Sequence, residues 1–220
     1  VLGVDGERFT YDELGDRADG FAAALQARGI EKGDRVAVLD PNTHYHLAAA
    51  YGNYQAGAIH TPLNYRLVES DFEYVVDEWG VDAVYADHAY ADKIEAIRED
   101  VPTETFITND ADAVEGHWEE FDEVIAESTD YDRPEMSEDD VVTINYTSGT
   151  TGDPKGVLLT HRNFRVQIVN SVVRYTGGPA EGDALIVLPM YHITGVLLLL
   201  AGLSAGRTVR TVRPAEWDPE

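Results

Sequence analysis

Apolar residues near the start of the chain recur at the three- and four-residue spacing of a helix face. The residues with this spacing are Leu14, Ala18, Phe21, Ala22 and Leu25. Thr10 and Glu13 stand before them in the order of a capping box, and Gly29 follows them. A capping box predicts a helix start and a glycine predicts a helix end, so we predict one amphipathic helix between these positions.

Short apolar runs then alternate with helical patterns over the rest of the chain. The runs predict strands at 35–39, 58–61, 83–86, 105–108, 141–146, 156–159, 184–188 and 208–212. The helical patterns predict helices at 44–55, 69–78, 89–98, 160–175 and 193–203. Regular alternation of strand and helix predicts an α/β fold with a mostly parallel sheet.

The acidic stretch 109–140 interrupts this alternation. Trp118, Phe121, Val124 and Ile125 have helical spacing within it, which predicts a short amphipathic helix. Its many carboxylates lack the spacing of a calcium loop. We therefore interpret the stretch as a solvated acidic connector rather than as a metal site.

The segment from Tyr146 to Gly156 reads YTSGTTGDPKG and lies between two predicted strands. Glycines allow backbone N–H groups to converge on an anion, hydroxyls add donors, and Lys155 adds a positive charge. The pattern predicts a loop that holds a polyphosphate. It is not the P-loop of nucleoside triphosphatases, because Pro154 stands where that motif needs glycine. A plain surface turn is the alternative, but such a turn seldom combines these residues between two apolar strands.

The same segment resembles the phosphate-binding signature of the adenylate-forming superfamily, which includes acyl-CoA synthetases, aryl-CoA ligases, luciferases and peptide-synthetase adenylation domains. Other segments resemble further family motifs in the same order, at 10–14, 32–37, 57–67, 157–163 and 188–195. The resemblance spans nearly the whole chain. It implies a layered α/β N-terminal domain with a mostly parallel sheet.

The resemblance also implies a reaction. A carboxylate attacks the α-phosphate of ATP, pyrophosphate leaves, and the thiol of coenzyme A then displaces AMP. The implied phosphate contacts are Thr147, Ser148, Gly149, Thr150, Thr151, Gly152 and Lys155. Magnesium is expected to bridge the phosphates, with Thr147 as its nearest candidate ligand.

His192 is the candidate residue for binding the acid. It stands between an apolar strand end and an apolar helix, where a histidine can simply cap the helix. The resemblance implies instead that His192 lines the acyl pocket beside the reacting carboxylate. Thr194 and Gly195 are then expected to form the pocket wall, with Gly195 leaving room for the acyl group. Apart from this candidate, no residue of the chain is assigned to catalysis.

The family pattern continues past the motifs found here. A Y-G-x-T-E motif, an aspartate for the ribose and a lysine on a mobile C-terminal domain have no counterpart among the 220 residues. We interpret residues 1–220 as the N-terminal portion of the large AMP-binding domain, truncated before the rest of that domain and the small mobile domain. We expect negligible turnover from this portion alone.

Three functions stay open from the sequence. The first is an acid–thiol ligase, an acyl-CoA synthetase of fatty acid metabolism that activates a fatty or other acyl chain. The second is an amino-acid- or aryl-acid-activating domain, or a luciferase-like enzyme. The third is a noncatalytic nucleotide-binding module. Segment 188–195 contains no acidic residue for a substrate amine, which favours an acyl substrate over an amino acid.

The amino-acid composition limits the classes of molecule that the chain is expected to bind. The net charge is −25, from 41 acidic and 16 basic residues, which argues against binding to nucleic acid or to an anionic membrane. Lysine occurs only at 32, 93 and 155, and an acidic, lysine-poor surface is typical of a halophilic protein. There is no cysteine, no apolar run of about 20 residues and no visible secretory signal, so we expect a cytoplasmic protein without stable membrane insertion. Nothing in the sequence indicates an oligomeric state.

Overall fold

The computed structural model describes residues 6–147, 155–176 and 182–212, in which helices and strands alternate. The strands are β1 (Arg35–Leu39), β2 (Ile59–Pro62), β3 (Ala83–Ala86), β4 (Thr105–Thr108), β5 (Glu119–Glu120), β6 (Val141–Thr147), β7 (Lys155–Thr160), β8 (Ala184–Ile186) and β9 (Val209–Thr211). The helices are α1 (Tyr11–Ala27), α2 (His44–Ala56), α3 (Glu69–Glu78), α4 (Ala91–Glu95), α5 (Phe121–Glu127), α6 (His161–Thr176) and α7 (Ile193–Ser204).

Seven strands form the main sheet in the order β5-β4-β3-β1-β2-β6-β7. Every neighbouring pair is parallel except β6 and β7, which run antiparallel. Strands β8 and β9 form a separate parallel pair. The predicted α/β fold with a mostly parallel sheet is therefore confirmed.

Both faces of the main sheet are covered by helices, and strand β1 shows why its sequence is apolar throughout. Val36 and Val38 pack with α1, α2 and α5, whereas Ala37 and Leu39 pack with α3 and α4 on the opposite face. Alternate side chains of a strand point to opposite faces, so a strand covered on both sides needs apolar residues at every position. The capping box of Thr10 and Glu13 begins α1, as predicted.

A third apolar cluster joins the later helices to the sheet. Val142 of β6 packs with Phe164 of α6 and with Val196 and Leu200 of α7. The apolar helix predicted at 193–203 is α7, and it lies against the main sheet rather than apart from it. This packing sets α7 and the segment before it beside β6.

The helix predicted at 89–98 is wrong in its length. The chain forms a 3₁₀ turn at His88–Tyr90, the short helix α4, and a second 3₁₀ turn at Arg98–Asp100. Side chains fix the first turn, because Asp87 Oδ1 accepts from Ala89 N at 3.0 Å and Asn109 Oδ1 accepts from His88 N at 2.8 Å. These bonds from outside the helix replace the regular helical start.

The acidic stretch 109–140 contributes structure as well as charge. Helix α5 packs onto α1 through stacked rings of Phe21 and Phe121, whose centres lie 5.0 Å apart. Trp118 precedes this helix, contrary to the predicted pattern. Its ring packs on Phe106 and its Nε1 donates to Glu95 Oε2 at 3.0 Å. The assignment of the chain to one part of a larger domain stays a prediction.

Candidate nucleotide and acyl-substrate site

The predicted phosphate loop connects β6 and β7 at the end of an antiparallel hairpin. Thr147 is paired with Lys155, and Tyr146 with Gly156. Thr147 and Lys155 therefore form the base of the hairpin, and Lys155 is exposed there. Ser148, Gly149, Thr150, Thr151 and Gly152 lie outside the described residues.

Trp79 supports the hairpin base from the first part of the chain. Its ring meets that of Tyr146 edge-on, with 5.7 Å between ring centres. A Cβ added to Gly156 would lie 2.5 and 2.6 Å from two Trp79 ring carbons. Glycine at 156 thus allows a close approach that no other residue permits without a shift. Sequence reasoning missed Trp79, because nothing in the pattern links it to a residue so distant in the chain.

The segment from Leu188 to His192 passes the hairpin without belonging to a helix or strand. Asn145 of β6 donates from Nδ2 to the Tyr191 carbonyl at 3.3 Å. Asn145 is two residues before Thr147, so this bond places the segment beside the strand that leads into the loop. The structure thus brings the segment before His192 next to β6, the strand that precedes the predicted loop.

Asn42 holds the same segment from the end of β1. Its Oδ1 accepts from Met190 N at 2.6 Å, and its Nδ2 lies 3.0 Å from the Leu188 carbonyl and 3.3 Å from the Val212 carbonyl. Strand β8 ends at Ile186, two residues short of the predicted end at 188. The Leu188 carbonyl is bound by a side chain instead of a neighbouring strand.

His192 is the N-cap of α7. Its Nδ1 accepts from Thr194 N at 3.2 Å, and both residues are exposed. Because Nδ1 accepts this bond, the neutral ring carries its proton on Nε2 and presents a donor there. The structure thus contains the capping arrangement that the sequence offered as an alternative. A substrate-binding role for His192 stays a prediction, compatible with the cap because Nε2 is not used in it.

Gly195 is buried behind His192. A Cβ at this position would collide with the Pro189 carbonyl and would lie 3.0 Å from the Leu188 carbonyl oxygen. The room left by the missing side chain is therefore filled by backbone of the turn that precedes α7. A pocket-wall role for Thr194 and Gly195 stays a prediction.

Two buried aspartates follow β1 and β3 at the carboxyl edge of the main sheet, where open α/β sheets bind ligands. Asp40 Oδ1 accepts from Thr43 N at 2.7 Å, and Asp40 Oδ2 accepts from the Thr43 hydroxyl and from Tyr85 at 3.2 Å. Burial, with the nearby charge of Asp87, raises the pKa of Asp40 to about 7. Sequence reasoning could have found both aspartates, since each directly follows a predicted strand.

Two histidines lie in the core, His46 on α2 and His60 on β2. His46 and His60 are both buried, with ring centres 5.5 Å apart. Burial lowers the pKa of His46 to about 3 and lowers that of His60 as well. The rings are thus neutral core residues.

The described part of the chain lacks a metal-site cluster and a membrane-spanning helix. Over residues 6–147, 155–176 and 182–212, no group of three or more His, Asp or Glu side chains has the arrangement of a metal site. In the same part of the chain, no helix is both long enough and apolar enough to span a bilayer.

Comparison with known proteins agrees with this geometry. The profile of the family described as AMP-binding enzyme matches residues 1–220. The chain belongs to this family. Its mostly parallel sheet is that of the N-terminal domain of adenylate-forming enzymes.

Relatives in this family include CoA ligases for different acids. The chain is 32% identical to a feruloyl-CoA synthase of Amycolatopsis, with 97% of the chain and 40% of the relative covered. It is also 32% identical to the long-chain-fatty-acid–CoA ligase FadD13 of Mycobacterium tuberculosis, with 96% of the chain and 41% of the relative covered. The ATP-bound structure of MatB from Rhodopseudomonas palustris superimposes with a TM-score of 0.83 at 28% identity, covering 98% of the chain and 42% of MatB. The chain thus spans about 40% of the length of these proteins.

Proposed function

We propose that this chain provides the triphosphate loop and part of the acyl pocket of an acyl-CoA synthetase. The enzyme would join a carboxylic acid to AMP and then transfer the acyl group to coenzyme A. One observation carries the proposal: the Asn145–Tyr191 hydrogen bond places the segment of His192 beside the strand that leads into the loop. An acid bound near His192 would then lie close to the phosphates that it must attack.

In the first step, the protein would mainly position the reactants and offset charge. Hydroxyls and backbone amides of residues 147–152 would hold the β- and γ-phosphates, and Lys155 would offset part of their charge. Magnesium neutralises the phosphates in chemistry of this kind. The hydroxyl of Thr147 is the one protein ligand proposed for it.

We propose that His192 orients the acid through Nε2. A neutral ring whose Nδ1 is bound to Thr194 N has one donor left, and a carboxylate or its developing acyl-phosphate oxygen is a matching acceptor. The helix cap also fixes the ring orientation, because rotation of the imidazole would break the bond to Thr194 N. The cap and the pocket role would therefore support each other.

We propose a fatty or other acyl chain as the acid. The relatives are named for feruloyl and long-chain fatty acyl substrates, so their names span aryl and alkyl acids. Segment 188–195 carries no carboxylate that would bind a substrate amine, which is the observation against an amino acid.

Acid-dependent exchange of pyrophosphate into ATP tests the proposal on the full-length enzyme. A panel of short, medium, long and aromatic acids should include acids that drive exchange, and coenzyme A should then yield the thioester. His192→Ala should change the ranking of the acids more than the melting temperature. Exchange driven only by amino acids, or by no acid at all, would contradict the proposal.

A further inference from the structure

We infer that Asn42 and Asn145 are positioning residues that hold the segment 188–192 in place and so orient the acid substrate. The inference rests on the proposed function for its substrate, but the hydrogen bonds that carry it are independent of that function. Both side chains belong to the main sheet region, whereas the segment they hold leads into α7.

Asn42 uses every hydrogen-bonding group of its amide on this part of the chain. The side chain is fully buried, with Oδ1 accepting from Met190 N and Nδ2 directed at the Leu188 and Val212 carbonyls. Its backbone φ is +74°, in the left-handed region where asparagine is one of the few tolerated residues. The position therefore demands both an unusual backbone and a complete amide, and asparagine alone meets both demands.

Asn145 holds the next part of the segment. It is 8% exposed, and its Nδ2 donates to the carbonyl of Tyr191, directly before His192. Tyr191 is further held by its ring, which meets Tyr65 edge-on with 5.2 Å between ring centres. Asn42 and Asn145 thus fix the residues on the N-terminal side of His192.

The segment makes few other hydrogen bonds, although the fully buried side chain of Met190 packs in the main core. Residues 187–192 form no strand, and the backbone bond from His192 N to the Pro189 carbonyl is internal to the turn. The side chains of Asn42 and Asn145 therefore supply backbone hydrogen bonds that a neighbouring strand would supply in a sheet. Displacement of a reacting group by about 1 Å can lower the rate about 100-fold. Loss of these hydrogen bonds should therefore reduce kcat/KM for the acid more than it weakens the use of ATP.

Aspartate is the most informative substitution for Asn42 and for Asn145. Asn42→Asp keeps the size, the tolerance of positive φ and the acceptor for Met190 N, but it turns an oxygen towards two carbonyls. Asn145→Asp removes the donor to the Tyr191 carbonyl in the same way. Asn53→Asp is the matched control, because Asn53 is also fully buried and pairs with His60 Nδ1 at 3.2 Å, away from segment 188–192.

The test uses the full-length enzyme and measures kcat and KM for the acid and for ATP. We expect kcat/KM for the acid to fall by about tenfold or more in Asn42→Asp and Asn145→Asp, while KM for ATP stays within about twofold in Asn42→Asp. Backbone amide exchange over residues 187–196 should rise in both variants. Asn53→Asp should lower the melting temperature and leave the acid kinetics and this exchange unchanged. If Asn42→Asp fails to fold, Asn42→Gly accepts the same φ and takes its place.

Two results would overturn the inference. One is a lower melting temperature in all three variants with the same acid kinetics, which would make the two asparagines ordinary core residues. The other is unchanged amide exchange over 187–196. An enzyme that activates no acid would contradict the proposed function and the substrate part of the inference, and faster exchange would then support only the positioning of the segment.

Discussion

Two regions of the chain differ in how their apolar residues are covered. In residues 6–147, the first region, strands β1 to β4 are buried on both faces, and Tyr11 and Val68 are the exposed large apolar residues. The second region, residues 155–176 and 182–212, exposes Val157, Leu158, Val166, Val169, Leu185, Val187, Leu188 and Leu198. The first region supplies most of the main core, which also includes Ile186, Met190, Leu199 and Val209 of the second region. Described residues leave much of the second region's remaining apolar surface uncovered.

The candidate site lies where these regions meet. Trp79, Asn42 and Asn145 belong to the first region, and each contacts a residue of the second that is close to the proposed chemistry. The well-packed first region therefore holds these residues of the less covered second region in place. Catalytic sites gain accuracy when their residues are held by packed elements in this way.

The largest expected difference in stability tests this contrast directly. Phe21→Ala removes a fully buried ring stacked on Phe121 and should cost about 3–5 kcal/mol of unfolding free energy. Val169→Ala, on a side chain that is 56% exposed, should change it by less than about 0.5 kcal/mol. Urea denaturation of the 220-residue chain measures both. Equal costs for the two variants would remove the distinction between the regions.

Acidification should weaken the first region through its buried histidines. The pKa of His46 is about 3 in the folded chain against 6.5 for the free side chain. The stability that the neutral ring contributes is therefore complete above pH 6.5 and is lost as the pH falls towards 3. Asp40 acts oppositely, because its folded pKa is raised to about 7 and its contribution is lost as the pH rises from about 4 to 7.

His46→Leu separates the two effects. Between pH 6.5 and 4.5, the wild type should lose about 2–3 kcal/mol more stability than the variant, from about 1.4 kcal/mol per unit of unmatched protonation. Urea unfolding at several pH values measures the difference. Parallel stability curves for the two proteins would show that His46 is protonated in the folded state.

The contact between Trp79 of the first region and Gly156 of the second is tested by Gly156→Ala. The added methyl group would press on the Trp79 ring and come within 2.8 Å of the Ile144 side chain, at a cost of about 1–3 kcal/mol. Trp79→Leu in the same protein should recover part of this loss by making room. A neutral effect of Gly156→Ala, measured by urea unfolding, would mean that the hairpin base is not tightly held.

The sequence predicted the first region better than the site. The bounds of β1, α3, β3 and β4 agree with the prediction, because each is set by its own apolar pattern. The pattern failed at α4, where Asp87 and Asn109 replace the helical start, and at Trp118, which lies before its predicted helix. The anchors Asn42 and Trp79 were beyond sequence reasoning, since their partners are many residues away in the chain.

Added salt should change stability less than the destabilising substitutions above, and it should stabilise both regions. With a net charge of −25, mutual repulsion of carboxylates destabilises the folded chain in dilute buffer, and added ions screen it. The melting temperature should rise by a few degrees between dilute buffer and about 1 M potassium chloride. A flat or falling curve would count against the proposed salt adaptation.

Acid-dependent ATP–pyrophosphate exchange by the full-length enzyme carrying Lys155→Ala tests the central claim most directly, with Lys93→Ala as the control. Lys93 donates to the Tyr65 and Leu67 carbonyls, so its loss should lower stability rather than ATP use. Loss of Lys155 at the hairpin base should weaken adenylate formation by about 2–5 kcal/mol, or roughly 30-fold or more, with the melting temperature kept. Exchange within about twofold of the wild type would contradict a role for this hairpin in holding the triphosphate.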